Sequence, residues 1–107
     1  MMSIDDHVQT GIMLERTRNN LIKASVYVSN TLGKTKARKQ TDKLQKALNL
    51  VDNVRTDMES EMYKDQNTPE TKEYLYEKYG YVNRMADVYC CNDHLDKEGN
   101  FHKDRIP

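Results

Sequence analysis

Residues 28–39 read VSNTLGKTKARK. Apolar residues recur at helical spacing over about 4–32 and again over about 35–66, with Leu32-Gly33 between the two patterns. Glycine adopts the positive-φ conformations that end a helix at little cost. Two helices joined there, with almost no chain left for a loop, are expected to fold back on each other as an antiparallel hairpin.

Working back toward the N-terminus, Ser3-Ile4-Asp5-Asp6 reads as a helix start. Ser3 can accept a hydrogen bond from an end amide, and two aspartates sit in the positive first turn. Leu14, Thr17, Leu21, Ala24, Val28 and Thr31 then follow at three- and four-residue steps, flanked by Ile4, Val8, Ile12, Ile22 and Val26. This is one amphipathic helix over about 4–32. Working forward from Gly33, Leu44, Ala47, Val51, Val54 and Met58 form a short coiled-coil-like seam. Leu48, Leu50 and Met62 lie beside it, and the second helix covers about 35–66. At about 1.5 Å per residue each arm should be roughly 45 Å long.

Asn67-Thr68-Pro69-Glu70 marks the next start, with Thr68 as cap and Pro69 in the first turn. Leu75, Tyr79, Val82, Ala86 and Tyr89, widened by Tyr74, Tyr81, Met85 and Val88, predict a third helix over about 69–91. Gly80 interrupts it, allowing a kink or the close approach of another helix. Beyond Asn92 the chain is polar and aperiodic, with a turn at Lys97-Glu98-Gly99-Asn100. Leu95, Phe101 and Ile106 are the residues expected to pin it down. The fold class is therefore all-α: an antiparallel helical hairpin, a third packed helix and a short polar C-terminal tail. The boundaries are a bundle over 1–92 and a tail over 93–107.

The chain of 107 residues is neutral overall, with 17 Lys/Arg and 17 Asp/Glu. Residues 1–50 hold nine Lys/Arg against four Asp/Glu and residues 51–107 eight against thirteen, so the halves are +5 and −5. Lys34, Lys36, Arg38, Lys39, Lys43 and Lys46 are opposed only by Asp42, and the hairpin places them at one tip. Such a field steers what a protein meets. Leu, Ile, Val and Phe number 20 of 107, a lean core that self-association could complete. No apolar run reaches the roughly 20 residues of a membrane span, and Met-Met-Ser-Ile-Asp-Asp does not resemble a signal peptide. A cytoplasmic protein that does not engage a membrane is expected.

The signals for chemistry are weak. Gly33-Lys34-Thr35 resembles the end of a phosphate-binding loop, but Val28 stands where that motif needs another glycine. Cys90, Cys91, His94 and His102 are possible zinc ligands, yet adjacent thiols rarely reach one ion together, and only Cys91 and His94 are well spaced on a helix. Unpaired thiols and no metal or other cofactor are expected. Cys90 or Cys91 with His94 could form a nucleophile–base pair, but nothing supplies an oxyanion hole. In the acidic run from Asp52 to Glu77 only Glu70 and Glu73 have the three-step spacing of a carboxylate metal site, and both look solvent-facing.

These readings leave a binding protein without catalytic residues. Seven tyrosines are too many for one buried stripe. Tyrosine favours interfaces, where it buries area and keeps a polar handle. Tyr74, Tyr79, Tyr81 and Tyr89 are the expected contacts for a protein partner, as in an adaptor, inhibitor or assembly factor, and for self-association into a homo-oligomer. The alternative is nucleic-acid or phosphate-ligand binding through Lys34, Lys36, Arg38, Lys39 and Lys43. That cluster lacks the aromatic residues used in base stacking. A third reading is a structural component of an oligomeric assembly, because ends of opposite charge favour stacking.

Overall fold

The computed structural model describes residues 2–96 and 98–101. Helix α1 spans Ile4–Leu32. Its start is a capping box: Ser3 Oγ accepts the Asp6 N–H at 3.1 Å, and the Ser3 N–H donates to the Asp6 carboxylate at 3.3 Å. The helix ends at Gly33, where φ is 84° and ψ is 147°. The Gly33 N–H still donates to the Ser29 carbonyl at 3.0 Å, and its carbonyl already accepts from Ala37 at 2.9 Å. Helix α2, Lys34–Gln66, therefore begins at once. A single residue turns the chain, at a positive φ that a residue with a Cβ rarely adopts. The two long helices pack together as the expected hairpin, and the molecule is 52 Å in its longest dimension.

Helix α3 spans Pro69–Tyr79, capped by Thr68 Oγ1, which accepts the Thr71 N–H at 3.1 Å. It is much shorter than the 69–91 expected. Gly80 takes the left-handed conformation, φ 68° and ψ 23°, and its N–H donates to the Tyr76 carbonyl at 3.0 Å. The periodic apolar pattern continues past Gly80, but the backbone does not remain helical. It turns inward so that Tyr81 enters the core, makes a short 3-10 turn at Arg84–Asp87 and returns along the hairpin. Tyr81, Met85, Val88 and Tyr89 keep the spacing of one helical stripe and all are buried, but Gly80 and the 3-10 turn carry them into the core without a continuous helix.

The core lies at the open end of the hairpin. Val8 and Ile12 come from α1, Met62 from α2, Leu75 and Tyr79 from α3, and the returning segment supplies Tyr81, Met85, Val88, Tyr89 and Leu95. Gly11 makes room for that segment, because a Cβ there would collide with the Val88 carbonyl. Arg55 clamps it from α2, donating to the Tyr89 carbonyl through Nε at 3.0 Å and Nη2 at 2.7 Å. Leu95 is buried and pairs across a bridge with Phe101, and the Asp96 carboxylate accepts the Glu98 and Asn100 N–H groups of the intervening turn. His102 and Ile106 lie outside the described residues.

The rest of the hairpin projects from this base. Between Met13 and Glu61 only Ala37 is buried. Among the described residues no helix is long and apolar enough to cross a membrane.

Candidate partner-binding groove

The structure relocates the tyrosines first. Tyr79, Tyr81 and Tyr89 are 5%, 0% and 1% exposed, so three of the four expected partner contacts are consumed by the chain's own core. Tyr79 closes α3 on its core-facing side, and Tyr81 and Tyr89 enter the core from the segment that follows Gly80. Tyr81 donates to Asn92 Oδ1, while Asn92 Nδ2 donates to Glu15 at 2.8 Å and to the Val88 carbonyl at 3.0 Å. Burial pushes the Tyr81 hydroxyl well above the usual phenol range and the Tyr89 hydroxyl up to about 12.

Tyr74 is half-buried at the edge of the base. Its hydroxyl donates to Asp5 at 2.8 Å, beside the Tyr79 hydroxyl at 2.5 Å and Lys78 Nζ at 3.3 Å. Burial disfavours the charge on Asp5, but bonds from Tyr79, Tyr74 and Lys78 outweigh it and hold the carboxyl below its usual range. Burial, then the bond to Asp5, pushes the Tyr79 hydroxyl up to about 12. These hydroxyls are engaged in holding α3 on the start of α1.

The basic tip is exposed throughout, and the helix divides it. At 100° per residue Lys36, Lys39 and Lys43 fall on one outward stripe of α2. Lys34 and Arg38 fall on another side and, with Thr41, face Ser25, Val26, Ser29 and Asn30 of α1 across a groove of about 390 Å³. No acidic residue lies in the first turn of α2, and no side chain caps it. Lys34 and Lys36 therefore oppose the helix dipole, an arrangement unfavourable to folding.

Ser25 and Val26 also border a second depression, of about 120 Å³, lined by Leu21, Ile22, Leu44, Gln45 and Leu48. The two depressions share Ser25 and Val26, the one nearer the base lined mainly by apolar residues and the one nearer the tip carrying Lys34 and Arg38. Val26 is 54% exposed on its edge. Further apolar side chains stand outside it, with Tyr27 at 71% and Leu50 at 65% exposure. The spacing of Ile22, Val26 and Leu44 is legible in the sequence as a helix-packing pattern. It carries no sign of which of these residues the opposite helix leaves exposed, as Val26 and Ile22 are.

The other polar groups are less suited to binding a large partner. Arg18 and Arg55 both hold Asp52, at 2.9 Å and 3.1 Å. The helical spacing of Cys91 and His94 does not arise, because α3 has already ended, and His94 Nε2 contacts the Tyr79 carbonyl at 2.7 Å. Cys90 and Cys91 are exposed and unpaired by a disulfide. The hydrogen bond to Cys90, burial and the neighbouring Asp87 push the Cys91 thiol up to about 12. Comparison with protein-family models, with curated proteins and with solved structures finds no match.

Proposed function

We propose that this protein is a non-enzymatic binding module that docks a protein partner in the groove of its projecting arm. The observation that supports the reading is the adjacency of two depressions that share Ser25 and Val26: Leu21, Ile22, Leu44 and Leu48 line one, and Lys34 and Arg38 line the other. A fitting occupant is an apolar helical or extended segment that carries acidic residues at one end.

The test compares wild type with Val26→Glu and Arg38→Glu, each immobilised and exposed to nuclease-treated lysate. A partner retained by wild type and lost from both variants, with unchanged far-ultraviolet spectra, supports the groove. Equal retention by all three rejects it. A second copy of the chain is one partner of suitable charge, since residues 51–107 carry the complementary acidic excess. Light scattering at low and high salt identifies that case.

A second reading rests on the outward stripe of Lys36, Lys39 and Lys43, which suits a phosphate polymer better than a peptide. Heparin or duplex retention that falls steeply with salt, and that disappears when those three lysines become glutamine, would favour it.

A further inference from the structure

Opposite the hairpin tip, the returning segment places three potential ligands together. A carboxylate oxygen of Asp87 and the Sγ atoms of Cys90 and Cys91 all lie within 4.8 Å of one another. The two sulfurs are 2.8 Å apart, so the adjacent side chains point to the same side, contrary to the expectation from their adjacency. The backbone explains this: the N–H groups of Cys90 and Cys91 both donate to the Asp87 carbonyl, at 3.1 Å and 2.8 Å, which curls the chain tightly.

We propose that Asp87, Cys90 and Cys91 form a binding site for a thiophilic divalent cation of the zinc or cadmium class. Two thiolates and one carboxylate are a donor set that such ions accept, with water completing a tetrahedron. At a metal–sulfur distance of about 2.3 Å, two sulfurs in a tetrahedron stand about 3.8 Å apart. The thiols must therefore open by about 1 Å from their 2.8 Å contact, which exposed side chains permit by rotating about χ1. Binding forms two metal–sulfur bonds and one metal–oxygen bond, and the two thiol protons pass to water. No electron is transferred.

Two independent features favour this reading over a chance cluster. Asp87 is only 7% exposed, yet none of the ion pairs among the described residues involves it. A buried carboxylate is ordinarily paired with a cation, and a bound dication supplies one. The site is also held from behind. Asn83 donates to Asp87 through its N–H at 2.9 Å and Nδ2 at 3.4 Å, orienting the carboxylate as outer-shell partners do in metal sites. Between Asp87 and the thiols the backbone is anchored by the buried Tyr89 ring and by Arg55 on the Tyr89 carbonyl.

The experiment titrates the reduced full chain with cadmium and follows the thiolate-to-cadmium charge-transfer absorbance. Reaction of the thiols with a chromogenic disulfide reagent is measured in parallel. The expected result is saturation at one equivalent, both thiols protected, and displacement of the band by zinc bound at the same site. Cys90→Ser removes a surface sulfur and leaves the core untouched; it should abolish the saturable band while the far-ultraviolet spectrum stays unchanged. Asp87→Asn should weaken binding about tenfold or more. Thiol reactivity unaffected by one equivalent of cadmium overturns the proposal, and so does an unchanged affinity in a folded Asp87→Asn variant.

Discussion

His7 and Tyr89, 82 positions apart in the chain, meet in the core with His7 Nδ1 2.6 Å from the Tyr89 hydroxyl. His7 is 1% exposed, and its Nε2 has no hydrogen-bond partner among the described residues. Burial lowers its pKa below the ordinary 6.5, only partly opposed by Asp65, Asp6 and Glu61. Between the folded and unfolded values the unfolded chain binds the extra proton. Stability from His7 is thus complete above about pH 6.5 and falls as the pH is lowered toward the folded value. The denaturant midpoint should drop between pH 7.5 and pH 5.5, and His7→Phe should flatten that dependence. Tyr89→Phe should destabilise by about 1–2 kcal/mol at neutral pH by removing a buried hydrogen bond.

Gly11 offers a test of sign. Gly→Ala within an unhindered helix stabilises by about 0.5–1 kcal/mol. Here the added Cβ would meet the Val88 carbonyl, a backbone atom that cannot rotate away. Gly11→Ala should therefore destabilise, by about 2 kcal/mol or more, while Gly33→Ala at the open bend is limited to its backbone strain. Chemical denaturation of both variants measures the difference.

The buried bond from Tyr81 to Asn92 sets a third expectation. Tyr81→Phe should lower stability by about 1–2 kcal/mol, because Asn92 Oδ1 loses its donor in the core. Tyr81→Asp should unfold the base, since an unpaired charge would replace a fully buried ring. A folded Tyr81→Asp protein with a smaller mass would instead restore this ring to an interface.

The two faces of the basic tip should separate by ligand. Lys34→Gln with Arg38→Gln should weaken binding of an acidic, apolar peptide by about tenfold and leave the outward stripe intact. Lys36→Gln, Lys39→Gln and Lys43→Gln together should leave that peptide unaffected. The same triple change should reduce the salt slope of any nucleic-acid binding by close to one unit for each phosphate that is no longer neutralised. Fluorescence anisotropy with each probe against both variants reads the pattern.

Local chemistry is enough to read the hairpin from the amino-acid sequence. Ser3 and Asp6 start α1, Gly33 ends it, and Thr68 with Pro69 starts α3; each acts within a few residues of the backbone it shapes. The exposed basic tip follows from the same pattern. The path after Gly80 depends instead on contacts between distant parts of the chain. A helical period and a buried irregular segment contain the same apolar residues, and choosing between them requires Gly11, Arg55 and Phe101 to be in place around the returning backbone. That choice buries Tyr81 and Tyr89 and brings Asp87 to Cys90 and Cys91. Helix starts and stops are encoded by neighbours, but burial is a property of the whole packed chain, and here burial decided which surfaces remained exposed.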